Sequence, residues 1–245
     1  MSSDLPLYKR LLMKISGEAL CGEGNSGIRT GELEDIVARL KPVVESGVRV
    51  GLVPGGGNIL RGGSFSVSTG LRRVSADYMG MLGTLINGVA LRDKLEAAGI
   101  PVRLMSALRV TDVCEYYTVD KALHHLSKDR VVILTCGTGR PYFTTDTTAA
   151  LRAVELGMDL FVKGTKVDGV YTADPRKDVS ARRIEHLTFD EAMAGDYGIM
   201  DSTAFSLCRE NRLPAAVIDF FQTDSLLKIV QGEKTGTFIG GGTDE

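Results

Sequence analysis

Six short β-rich runs recur in this chain, several of them apolar at nearly every position: "KRLLMKI" (9–15), "VRVGLV" (48–53), "PVRLMS" (101–106), "RVVILTC" (130–136), "DLFVKG" (159–164) and "AAVIDFF" (215–221). A strand with one wet face alternates polar and apolar residues, so such runs fit strands covered on both faces. The stretches between them carry helical patterns. Thr30 is placed to cap a helix with Leu33, Ile36, Val37, Leu40 and Val44 on one stripe, and Pro42 predicts a kink or an early end. Residues 75–98 read as a long helix with Met79, Leu82, Ile86, Ala90 and Leu95 inward. Thr188 with Glu191 predicts a capping box, and Asp201 a cap for "STAFSLCREN".

Strands alternating with helices imply β-α-β crossovers, a mostly parallel sheet and helices on both of its faces. A (β/α)8 barrel of about 250 residues is the alternative fold. The 245 residues read as one domain, 1–245, with flexible ends at 1–8 and 240–245; two small domains are the alternative.

With 29 basic residues mixed among 31 acidic ones, the formal charge is −2, which gives no electrostatic footprint for nucleic acid or an anionic membrane. A small partner is expected. Cys21, Cys114, Cys136 and Cys208 form no C-x-x-C pair, so buried free thiols in a reducing compartment are expected rather than zinc ligands. Asp4, Lys9, Arg10 and Lys14 interrupt what would be a signal peptide's apolar region, and no apolar run approaches the roughly 18 residues of a membrane span. A cytoplasmic protein is the expectation.

Ligands of open α/β sheets bind beyond the carboxyl ends of strands. Three loops lie there: "KISGEAL", "PGGGNILRGG" and "GTGRPYFTTDTTAAL". Without Cβ atoms, Gly55 to Gly57 let backbone N–H groups converge on an anion, although a plain tight turn explains such a triplet as readily. The sequence has no G-x-x-x-x-G-K-[ST], and Leu60 breaks G-x-G-x-x-G. Lys14, Arg61 and the helix start at Thr144 and Thr145 would supply three converging anion contacts; singly, each lysine or arginine also reads as a solvated surface residue. Farther on, Asp168-Gly169 is a hairpin signal between Val167 and Val170, in which Tyr171 could offer a face to a base and Asp174 accept hydrogen bonds.

Taken together, "YKRLLMKISGEAL", "GGGNILRG", "ADYMGMLGTLINGVALRD", "RVVILTCGTGRPYFTTDTTAALRA", "KVDGVYTADP" and "IMDSTAF" resemble the bacterial uridylate kinase branch of the amino acid kinase family, in order and over nearly the whole chain. The resemblance implies a three-layer α/β/α sandwich around a mainly parallel sheet, and transfer of the ATP γ-phosphoryl group to UMP with Mg2+ carried by the nucleotide. By resemblance, Lys14, Ile15, Ser16, Gly17, Gly57 and Arg61 would meet the ATP phosphates. Thr165, Tyr171 and Asp174 would line the adenine nucleotide site. Gly56 would touch UMP, Asp77 its ribose, and Thr138, Gly139, Arg140, Pro141, Tyr142, Phe143, Thr144 and Thr145 its uracil and phosphate. Arg140 stands where the family usually has asparagine, which bears on base selectivity. The resemblance also implies hexamers built as trimers of dimers, and responses to GTP and UTP, with Gly22, Glu23, Gly24, Asn25, Ser26, Gly27 and Ile28 in the place associated with GTP.

This chemistry needs no general base. A phosphate monoester with a second pKa of about 6 is already ionised at neutral pH, and phosphoryl transfer is catalysed by positioning and charge stabilisation. Lys14, Arg61 and Asp146 are the expected catalytic residues. Asp146 either orients Lys14 or the metal-bound phosphates, or merely caps the helix beginning "TTAAL". Competing functions are a carboxylate or carbamate kinase of the same fold, and a noncatalytic nucleotide- or oxyanion-binding protein.

Overall fold

The six apolar runs form the six longest strands of one sheet. A computed structural model describes residues 6–22, 26–60, 67–173, 177–195 and 197–240. The strands are β1 (Arg10–Ile15), β2 (Arg49–Pro54), β3 (Val102–Ser106), β4 (Glu115–Tyr116), β5 (Val131–Thr135), β6 (Leu160–Thr165), β7 (Val170–Tyr171), β8 (Arg183–Ile184), β9 (His186–Leu187), β10 (Ala215–Asp219) and β11 (Thr237–Ile239). Nine of them make a sheet in the order β4-β3-β5-β2-β1-β6-β10-β11-β9. Every pairing in it is parallel except β10 with β11.

The helices are α1 (Thr30–Glu45), α2 (Arg73–Ala97), α3 (Val119–Ser127), α4 (Thr145–Glu155), α5 (Phe189–Ala194), α6 (Ser202–Glu210) and α7 (Ser225–Val230). Two buried clusters, one on each face of the sheet, give the three layers. Leu11, Met13 and Ile15 of β1 join α1, α2 and α7, whereas Leu12 joins α3 to α6. The period of two in a strand therefore puts Lys14 on the face covered by α4. On β6 the same alternation puts Lys163 and Thr165 on the face of Phe161, the α4 side.

Several local expectations hold. Thr188 and Glu191 form the capping box of α5, and the Asp201 carboxylate accepts from the Ala204 N–H to cap α6. All four cysteines are free, with Cys21, Cys136 and Cys208 buried. Burial pushes the Cys208 thiol up to about 12.

Others need correction. Thr30 is the first residue of α1 and Arg29 takes the cap position; Pro42 lies inside the helix, which runs on to Glu45. Pro42 removes one hydrogen bond near the last turn, and Val43 rather than Val44 is buried there. Asp168-Gly169 does not turn between paired strands, because β7 pairs antiparallel with the later β8. The face expected inward on α2 is largely outward: Met79, Leu82 and Ile86 are exposed, while Leu95 is buried. The buried face carries Ala76, Met81, Gly83, Thr84, Leu85, Asn87, Gly88, Leu91 and Leu95, and a Cβ on Gly88 would lie 2.6 Å from a Thr135 side-chain carbon, so the helix approaches the sheet closely there. Of the ends expected to be flexible, residues 1–5 and 241–245 lie outside the described residues, whereas the Tyr8 N–H bonds Val230 O and the Gly240 N–H bonds Leu187 O. Among the described residues no helix is long and apolar enough to cross a membrane.

Candidate active site

Because β1, β2, β5, β6 and β10 run parallel, their carboxyl ends share one edge of the sheet, and the candidate residues gather along it. Lys14 and Lys163 are direct partners in the β1–β6 register, so their side chains stand side by side. Asp146, in the first turn of α4, lies over both. Its Oδ2 accepts from Lys163 Nζ at 2.7 Å, and its Oδ1 lies 2.9 Å from Lys14 Nζ. The Lys14 contact is a close ion pair. Lys163 Nζ also donates to the Ile199 carbonyl.

Lys14 is 8 % exposed, which overturns its reading as a solvated strand-end lysine. Burial opposes ionisation of Asp146, but the ammonium groups of Lys14 and Lys163 outweigh it and hold the carboxyl below its ordinary range. Burial pushes the Lys163 ammonium down, opposed by Asp146 and reinforced by the like charge of Lys14. Two ammonium groups thus share the Asp146 carboxylate, with the Asp201 carboxylate also acting on Lys163.

Asp146 is not the helix cap. Thr144 is: its hydroxyl accepts from the Asp146 N–H at 3.1 Å and the Thr147 N–H at 3.0 Å. Asp201 locks this arrangement by accepting from the Thr147 hydroxyl at 2.7 Å and from the Thr144 hydroxyl. One aspartate thereby caps α6 and fixes the start of α4.

Beside this start opens a cleft of about 210 Å3, lined by Gly56, Gly57, Asp77, Arg140, Phe143, Thr144 and Thr145 among others. These are seven of the residues assigned to phosphate or acceptor by resemblance. The glycine loop fits because nothing larger would. A Cβ on Gly56 would lie 2.6 Å from Gly80 O and 3.0 Å from Thr84 N, both backbone atoms of α2. A Cβ on Gly17 would lie 2.7 Å from the Gly57 N, so the Ser16–Gly17 turn is pressed onto the same loop.

Asp77 accepts from Arg73 Nε at 2.8 Å and from the Tyr142 N–H at 2.9 Å, tying α2 to the loop after β5. Tyr142 holds a positive φ of 72°, and its ring lies under the Arg73 guanidinium at 5.6 Å. Thr138, Gly139, Pro141 and Tyr142 belong to this loop without lining the cleft. Thr165 ends β6, where its hydroxyl donates to Val167 O at 2.7 Å, and Tyr171 donates to Asp168 Oδ1 at 2.7 Å. Arg61, Asp174 and, in the Gly22–Ile28 segment, Glu23, Gly24 and Asn25 lie outside the described residues. A larger cavity of about 360 Å3, beside Tyr8, His186 and Phe238, contains none of the candidate residues.

Sequence reasoning missed Lys163. The signal was present: "LLMKI" and "LFVKG" each carry one lysine just before the end of an apolar strand, as neighbours in a parallel sheet would if both served one ligand.

The model of the amino acid kinase family matches residues 9–219. The chain belongs to the amino acid kinase family. Among curated members, uridylate kinase of Methylococcus capsulatus (strain Bath) is 47 % identical over 234 residues, 96 % of this chain and 98 % of that protein. Two crystal structures share the amino acid kinase architecture described above. UMP kinase from Bacillus anthracis superposes with a TM-score of 0.92 at 36 % identity, covering 95 % of this chain and 96 % of that one. UMP kinase from Ureaplasma parvum superposes with a TM-score of 0.89 at 32 % identity, covering 95 % and 99 %.

Proposed function

We propose that this chain transfers the γ-phosphoryl group of ATP to UMP, giving ADP and UDP, as an ATP-dependent kinase of pyrimidine nucleotide biosynthesis. The observation that carries the reading is the Lys14–Asp146–Lys163 group beside a cleft that joins the glycine loop to the threonine-capped start of α4. Two anionic phosphates must meet in line, so catalysis consists of holding them and offsetting their charge. Lys14 and Lys163 would face the transferred phosphoryl group. Gly57 and Arg61 would hold the ATP phosphates, and Gly56 with the α4 amides at Thr145 would hold the UMP phosphate. A carboxyl held below its ordinary range is a weak proton acceptor, so Asp146 anchors the two lysines and does not act as a base.

Magnesium would enter with ATP and neutralise charge on its β- and γ-phosphates. Among the described residues no group of three or more His, Cys, Asp or Glu is placed to hold a metal, and Asp201 is already engaged by two threonines. This donor set fits a metal held chiefly by the nucleotide. Thr165, Tyr171 and Asp174 would line the adenine side.

We further infer a cytoplasmic homo-oligomer, a hexamer of paired subunits. Val74, Tyr78, Leu82 and Ile86 recur every four residues along α2 and are between 37 and 50 % exposed, an apolar stripe suited to a second copy of this chain. GTP and UTP are the proposed effectors, with Gly22–Ile28 as the GTP-responsive segment.

Coupled ADP release with ATP and Mg2+, comparing UMP, CMP and dUMP as acceptors, tests the reading. UMP should be preferred, with the CMP ratio reporting on Arg140, which is exposed at the cleft. Absence of UMP-dependent release, with GTP present or not, would remove the assignment.

A further inference from the structure

Two asparagines with almost no exposure, Asn58 at 3 % and Asn87 at 0 %, lie between the glycine loop and α2. Their side-chain amides pair reciprocally. Asn58 Nδ2 donates to Asn87 Oδ1 at 3.0 Å, and Asn87 Nδ2 donates to Asn58 Oδ1 at 2.7 Å. The remaining donors go to backbone: Asn87 to Gly55 O and Asn58 to Gly27 O, each at 2.7 Å. Gly27 answers by donating its N–H to Asn58 O at 3.0 Å. A Cβ on Gly17 would meet Asn58 Oδ1 at 2.5 Å, so the pair also supports the turn after β1. Three segments, Ser26–Ile28, the glycine loop and α2, thus converge on one fully satisfied polar unit. Apolar residues of like volume would fill that space without fixing direction, whereas four directed hydrogen bonds set the distance and the rotation of the loop.

We propose that the Asn58–Asn87 amide pair is a positioning device that holds the Gly56 and Gly57 amides in register with Lys14, and through Gly27 links the Ser26–Ile28 segment to that loop. The proposal rests on the phosphotransfer reading above. Neither asparagine touches a reacting atom; both act through the loop backbone.

The test compares kcat for UMP in wild type, Asn58→Ala, Asn87→Ala and the double variant, each measured well below its own melting temperature. Loss of register lowers kcat by about tenfold or more in each single variant. Because each single change breaks the same unit, the double variant is no slower than about the slower single one. A pair that only stabilises the fold lowers the melting temperature and leaves kcat within about twofold, which would overturn the proposal. Asn58→Asp supplies a second readout, decisive if the alanine variants do not fold. Its ionised carboxylate would face the oxygens of Gly27 and Asn87, while its protonated form restores one donor. The ratio of Asn58→Asp to wild-type kcat should therefore rise about threefold or more from about pH 8 to about pH 6. A flat ratio would overturn the proposal. Failure of wild type itself to phosphorylate UMP is a separate result, which removes the proposed function and this inference with it.

Discussion

Among single residues, Asp146 stands between Lys14 and Lys163 and pairs with both. The sequence offered two roles for Asp146, and the structure separates them, since Thr144 already supplies the cap. Lys14 was legible because it precedes a glycine-containing turn. Lys163 was missed although "LFVKG" repeats the pattern of "LLMKI", because the two lysines read as one pair only once the parallel register places them side by side. Removing the carboxylate leaves two buried ammoniums uncompensated. Asp146→Asn should lower stability by about 3 kcal/mol or more in urea titrations and reduce UMP turnover by about tenfold or more. A lost cap would cost about 1 kcal/mol and spare turnover. The pH dependence has a defined sign. The folded pKa of Asp146 lies below its unfolded value, so its ion pairs contribute stability that is full above the ordinary aspartate range and is lost as pH falls through the folded value. Acid unfolding followed by circular dichroism should show this component in wild type and lack it in Asp146→Asn.

At the scale of elements, the glycine loop and α2 explain each other. Three consecutive glycines alone allowed a turn or an anion site; the structure adds that the loop is clamped between the Ser16–Gly17 turn and the backbone of α2. Gly56→Ala should therefore raise the KM for UMP and cut turnover about tenfold or more, with an unchanged far-UV spectrum, because the loop must shift and the helix need not. The inward face of α2 was misread because hydrophobic periodicity assumes that large apolar residues face the core. Here Gly83, Thr84, Asn87 and Gly88 share that side with Met81, Leu85, Leu91 and Leu95, and Leu82 and Ile86 stay exposed. If the proposed homo-oligomer forms through this stripe, Leu82→Glu combined with Ile86→Glu should dissociate it, read as a fall in mass by sedimentation or light scattering. Unchanged mass would place the interface elsewhere.

At the scale of the whole molecule, the sheet was the most legible part, because strands buried on both faces advertise themselves by unbroken apolar runs. The two-residue strands β4, β7, β8 and β9 were not legible, since two residues carry no period. The parallel order brings Lys14, the glycine loop, the threonine turn and Lys163 to one edge although they span more than half the chain, and no local pattern encodes that convergence. This edge is proposed to move phosphoryl groups to UMP through the two lysines. The direct measurement follows label from the γ-phosphate of ATP into UDP, in single turnovers, for wild type, Lys14→Ala and Lys163→Ala. Wild type should form labelled UDP, and each lysine variant should do so about a hundredfold more slowly or less. No labelled UDP from wild type would remove phosphoryl transfer to UMP, and transfer undiminished in both lysine variants would remove the lysines from it.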